Sequence, residues 1–148
     1  MRHVNTSEIP GPSKSSSQGL YLKISEFIFE QVLSYKHLTL KNDIPFPKIY
    51  FKSLTPLKVF QDAIEKQWGQ RPKEFSNAYA QESNALFILD DADYYKKLSR
   101  CIDDSIAHEM THFIQVKYLN LDLNDESLEW EAVDIQNWFR ENFCKISN

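Results

Sequence analysis

The chain has 148 residues, enough for one compact domain and short for a second. A hydrophobic share of 42%, with 14% aromatic, supplies a core, and three glycines with six prolines exclude collagen-like and low-complexity chains. Seventeen basic against 21 acidic residues give a net charge of −4 without any dense Lys/Arg cluster, so neither nucleic acid nor a membrane surface is expected as a partner.

No apolar run has the length of a membrane span, and Met1–Thr6 lacks the apolar core of a secretory signal. The expectation is a soluble, cytoplasmic protein; a secreted or periplasmic mature form would read the same. Cys101 and Cys144 are too few for a disulfide framework. In a reducing compartment two free thiols are favoured over the one bridge they could make.

Residues 1–17, with Pro10-Gly11-Pro12 and a serine-rich run, read as a disordered tail, and 18–148 as a single domain. From Gln18 to about Lys36, the residues Leu20, Ile24, Phe27, Ile28, Val32 and Tyr35 recur at helical spacing. Pro45 and Pro47 break the chain before Lys48-Ile49-Tyr50-Phe51-Lys52, a short β-type run. Thr55-Pro56 then predicts a helix start, with Thr55 as cap, an apolar stripe of Leu57, Phe60, Ile64 and Trp68, and Gly69 as the stop.

Asn77–Gln81 and Ala85–Leu89 flank the turn-like Glu82-Ser83-Asn84 and predict a hairpin. Asp90, Asp91 and Asp93 suit the positive end of a helix and lack the spacing of a calcium loop. A helix is expected from about Ser99 to Leu119 and a last one from about Glu126 to Phe143. The order is helix, strand, helix, hairpin, helix, helix: an α+β domain with a small, partly antiparallel sheet packed on helices.

The chemistry lies in His108-Glu109-Met110-Thr111-His112. Residues four apart on a helix share a face, so His108 and His112 can point two imidazoles at one cation. Zinc takes neutral imidazole nitrogen, and a catalytic site needs three protein ligands with one position left open. Glu109, about a quarter-turn round, stands where a general base should. The five-residue pattern is short enough to arise by chance, so its context must carry the argument.

Ile102, Ile106, Met110 and Phe113 lie on the side of that helix away from the histidines, and Cys101, Ser105 and Gln115 share the histidine side. Gln115 lines the cleft or belongs to solvated surface. On the last helix the apolar stripe is Leu128, Ala132, Ile135, Phe139 and Phe143. Glu131 falls about 40° from Ile135 and Glu129 about 120° away, so Glu131 is expected to be the buried carboxylate, and hence the third ligand. Its alternative is a salt bridge. The hairpin before the histidine helix could offer an open edge to an extended peptide, with Leu86–Leu89 as the expected edge.

The stretch His108–Gln115, followed by Glu131-Ala132, Gln136 and Trp138, resembles gluzincin-type metallopeptidases of the zincin fold, small bacterial ones in particular. Those enzymes place HExxH on one helix and a glutamate, often followed by alanine, on a later one. The resemblance covers roughly residues 77 to 140. It implies a minimal zincin-like domain with one Zn2+ held by His108, His112 and Glu131, Glu109 as base, and a peptide or protein substrate. It also suggests Asp134 as a partner to a ligating histidine and Tyr79, Tyr94, Tyr95 or Tyr118 as an oxyanion donor, without choosing among them. The rivals are a catalytically inactive zincin-fold binding or regulatory protein, its zinc closed by a cysteine, and a plain interaction domain in which the motif is accidental.

Overall fold

The computed structural model describes residues 16–144. Helix α1 spans Ser16–Tyr35, strand β1 Lys48–Phe51, helix α2 Leu57–Trp68, strand β2 Ala78–Ala80 and strand β3 Ala85–Ile88. Helices α3, Ala92–Lys97, α4, Ile102–Lys117, and α5, Ser127–Phe143, complete the chain, and a 3-10 turn, Lys52–Leu54, follows β1. The elements follow the expected order with one short addition, α3 between the hairpin and the histidine helix, in an α+β domain with a three-stranded mixed sheet. Residues 1–15 of the expected tail lie outside the described residues, whereas Ser16 and Ser17 already belong to α1.

β3 is the middle strand, parallel to β1 and antiparallel to β2. The run Leu86-Phe87-Ile88, expected at an edge, is therefore central and fully buried, and β1 and β2 are the two edges. A hairpin alone does not reveal which of its strands gains a second partner; here β1 adds to β3. Side chains alternate across the sheet as a two-residue period requires. Ile49, Phe51, Leu86 and Ile88 pack with α1, α4 and α5, while Tyr50 and Phe87 pack with Phe60 and Ile64 of α2. With helices on both faces, β3 has no solvent side, which accounts for its unbroken apolar run. Asn84, at φ 49°, closes the hairpin in a left-handed conformation that asparagine tolerates.

α1 buries Ile28, Phe29, Val32 and Leu33, not the whole expected stripe: Phe27 and Tyr35 are exposed, and the Leu20 side chain lies outside the described ones. Thr55 does not cap α2; Pro56 takes the N-cap position and no side chain caps it. Gly69 ends the helix as expected, at φ 78° with its N–H donating to the Glu65 carbonyl at 2.9 Å. Nor do Asp90 and Asp91 cap through their side chains. Asp90 accepts from Ser53 N at 3.0 Å and from the Ser53 hydroxyl, and Asp91 pairs with Lys52 at 2.9 Å, so both tie the end of β3 to the turn after β1.

α4 runs through the centre of the fold, against α5, α1, β3 and β2. It buries Ile106, Ala107, Met110, Phe113 and Ile114, and also the polar Asp104, Ser105, Glu109, Thr111 and Gln115. Cys101, at its N-cap, is bonded to Cys144 just past α5, so the two are not the free thiols expected. Sequence distance hid this pairing: the antiparallel hairpin of α4 and α5 brings the start of one helix to the end of the other. Closing a loop across a sequence separation of 43 restricts the unfolded chain by up to about 4 kcal/mol on the chain-entropy argument. Among the described residues no helix is long and apolar enough to cross a membrane.

Candidate metal centre

The α4–α5 hairpin sets the register of the site. His112 faces Glu129, His108 faces both Glu129 and Gln136, and Asp104 faces Arg140. Asp103 and Asp104 lie in the first turn of α4, and Cys101 N donates to Asp104 Oδ2 at 3.1 Å, so the helix start is both capped and charge-matched.

Both imidazoles turn Nε2 to one carboxylate. Glu129 Oε1 is 2.9 Å from His108 Nε2, and its Oε2 is 3.0 Å from His112 Nε2. Glu131, the expected third ligand, is not there. It pairs with Lys36, just past the end of α1, at 2.7 Å and accepts from Gln115 Nε2 at 2.9 Å. Angular distance from the centre of the α5 stripe does not tell which rim of the helix meets the histidines. The histidines sit at one rim of the helix seam, where Glu129, Ala132 and Gln136 line up at three- and four-residue steps, whereas Glu131 lies toward the α1 rim. An open site borders an apolar stripe and is not found inside it. The Glu129 side chain is accordingly 55% exposed.

Glu109 is buried and stands beside the pair, its Oε2 3.9 Å from His108 Nε2. Ligand atoms of His108, Glu109 and His112 lie within 4.8 Å of one another. Glu109 is nonetheless farther from His108 Nε2 than Glu129 is, at 3.9 against 2.9 Å. Two imidazole nitrogens and a carboxylate form a donor set that zinc takes at catalytic sites, so the residues present fit that ion.

The other ring nitrogens are held as well. Gln115 Nε2 donates to the Leu128 carbonyl and to Glu131, at 3.0 and 2.9 Å, which fixes its amide. Its Oε1 thus faces His112 Nδ1 at 2.8 Å and accepts a hydrogen bond from the Nδ1–H, leaving Nε2 for a ligand. Gln115 is buried and is neither cleft lining nor solvated surface. Gln136 stands 2.6 Å from His108 Nδ1, and the Arg100 guanidinium lies against the same amide, at 2.9 and 3.2 Å from its oxygen when the amide is turned. Arg100 and a protonated His108 Nδ1 compete for one carboxamide oxygen. Asp134, considered for such a supporting role, is exposed on α5. Sequence reasoning weighed Glu129 and set it behind Glu131, and gave Gln136 no role; the signal for both was their shared face with Ala132.

Charges in the cluster are strongly coupled. Burial opposes the charged form of His108, but the Glu129 hydrogen bond and the Glu109 and Glu129 charges outweigh it and lift the imidazole to about 9. His112 is raised against the same opposing burial and chiefly by the same Glu129 bond. The two imidazoles hold Glu129 well below the usual carboxylate range. Glu109 moves the other way, pushed up by burial although the neighbouring histidines oppose it.

These groups open on a cleft of about 260 Å³ lined also by Gln67 and Trp68 of α2, Ala78 and Tyr79 of β2, and Leu123. Of the four tyrosines considered as oxyanion donors, three have hydroxyls bonded elsewhere. The hydroxyls of Tyr79 and Tyr95 donate to Asn84 Oδ1 and the Leu89 carbonyl, Tyr118 meets the Lys41 backbone, and the Tyr94 ring packs edge-on against Tyr95. Burial pushes the Tyr95 hydroxyl up to about 12. Compared with family models, curated proteins and solved structures, the chain has no significant match, so the meaning of the site rests on its own residues.

Proposed function

We propose that this chain is a zincin-like, gluzincin-type zinc-dependent hydrolase that cleaves peptide bonds, with His108, His112 and Glu129 holding the metal and Glu109 as general base. The observation that carries the reading is the convergence of both Nε2 atoms on one carboxylate, at 2.9 and 3.0 Å, with a buried glutamate beside them at the mouth of a cleft. Zinc, when bound, supplies Lewis acidity, which makes water nucleophilic near neutral pH and polarises a carbonyl.

The chain's own residues supply the rest. Gln115 holds His112 in the tautomer that leaves Nε2 free, and Gln136 can do the same for His108. Glu109, its affinity for a proton raised by burial, takes a proton from the attacking water and passes it to the departing amine. The β2 edge beside the cleft offers backbone groups to an extended peptide. The rival reading, a binding protein whose zinc is closed by a cysteine, loses support because Cys101 and Cys144 are bonded to each other.

The test is elemental analysis of protein purified without chelator, followed by hydrolysis of a quenched-fluorescent peptide library. One zinc per chain is expected. Glu109→Gln should retain it while losing about a thousandfold or more in turnover. A chain that takes up no zinc from buffer would end the hydrolase reading.

A further inference from the structure

β2 is the sheet edge at the cleft, and part of it is already paired by a side chain. Gln67, at the end of α2, donates from Nε2 to the Tyr79 carbonyl at 2.8 Å and accepts from Gln81 N at its Oε1, at 2.9 Å. In an extended strand alternate residues turn their N–H and C=O groups to opposite sides. The Tyr79 carbonyl and the N–H of Gln81, the first residue past β2, therefore face the outer side, away from β3, whereas the Gln81 carbonyl turns into the hairpin to accept from Asn84 N at 3.3 Å. A carboxamide is one C=O and one N–H2, so Gln67 makes the bonds that a residue on a neighbouring strand would make. Gln67 also lines the cleft that holds His108, His112 and Glu129.

We infer that Gln67 is a built-in stop on the outer edge of β2: an extended peptide pairs with this edge only as far as Tyr79, and the site takes short peptides or chain ends in preference to the middle of a long extended segment. This rests on reading the cleft as a peptide site. The physical reason is competition. A longer strand gains nothing beyond Tyr79 unless it displaces two bonds of good length made by a half-buried side chain that stays attached to its helix. Trp68, the next residue and 44% exposed, stands at the same end as an apolar wall.

The experiment uses zinc-loaded, full-length Glu109→Gln protein and fluorescein-labelled, capped, proline-free peptides of four and of ten residues, with binding followed by anisotropy. In this background the ten-residue peptide should bind no more tightly than the four-residue one. Adding Gln67→Ala should strengthen the ten-residue peptide by about tenfold, the worth of two backbone hydrogen bonds, and move the shorter one by less than about twofold. Gln67→Met, of similar length without the amide, should behave alike if the alanine variant folds poorly. Exchange of the Gln81 amide hydrogen should quicken in either variant and slow again when the long peptide is added.

If both peptides respond equally to loss of Gln67, or neither binds any variant, the stop is overturned, and Gln67 is only a cover for a strand edge. Hydrolysis separates the two ideas. Length-dependent binding without cleavage by protein retaining Glu109 would sink the hydrolase and keep the stop; cleavage with length-blind binding would do the reverse.

Discussion

Asp104 and Glu129 are carboxylates that each stand between two nitrogen bases on the α4–α5 hairpin, and their settings differ. Asp104 has no exposed surface; it takes two bonds from Arg100, at 3.0 and 2.8 Å, one from Cys101 N, and an ion pair with Arg140 at 3.7 Å. Its cationic partners are permanently charged. Glu129 is half exposed at the cleft and its partners are imidazoles, which can give up their protons. The Cys101–Cys144 bond sits at the Asp104 end. One end of the hairpin is thus held by permanent charges, and the other, on the proposed reading, can exchange a proton for a metal. What separates a structural ion cluster from a reactive one here is the type of base and the access of solvent, more than the carboxylate.

The largest expected effect is at the sealed end. Asp104→Asn leaves two guanidiniums without their counter-charge and should cost about 3 kcal/mol in denaturant unfolding, with zinc still bound. A loss below about 1 kcal/mol would erase the contrast between the ends. At the open end, Glu129→Ala should weaken zinc binding by about a hundredfold or more, since losing even an outer partner of a ligand costs up to that much. Glu131→Ala should change it by less than about threefold. Competition with a chelating dye measures both, and the reverse ranking would restore Glu131 as the ligand.

A subtler effect is the pH response. In metal-free protein His108 keeps its proton up to about 9, against 6.5 for the free group. Its pairing therefore contributes stability that is full below 6.5 and is lost as pH rises through about 9. Glu129, depressed from 4.5, contributes stability present above that value and lost as pH falls further. The Tm of the metal-free protein should fall between pH 6.5 and 9, and Glu129→Gln should flatten that slope. Zinc affinity should rise over the same window, because ligation needs the imidazoles deprotonated. Proton release below one per zinc at neutral pH would mean that Arg100, and not His108, holds the Gln136 oxygen. The smallest effect is Asp134→Ala, expected within about 0.5 kcal/mol of wild type in stability and indistinguishable in zinc binding.

Much of this architecture was legible in the chain. Apolar spacing, the hairpin turn and Gly69 located the helices and strands of an α+β domain, and the four-residue step between His108 and His112 placed both on one face of α4. What failed were choices among neighbours. Glu131 was preferred to Glu129 because a helical wheel knows the centre of an apolar stripe but not which rim meets the histidines. β3 was expected at the edge because the approach of β1 is a long-range event. Gln67 carried no sequence signal, being a single glutamine on a helix until β2 lies beside it.

By itself the sequence determined the histidine pair and its glutamate, since an α-helix repeats every 3.6 residues whatever surrounds it. Only the tertiary structure decided which carboxylate meets both histidines, which strands lie at the sheet edges, and the cysteine pairing. Each depends on how separate elements pack, and residues distant in the chain meet only when burial and register bring their elements together.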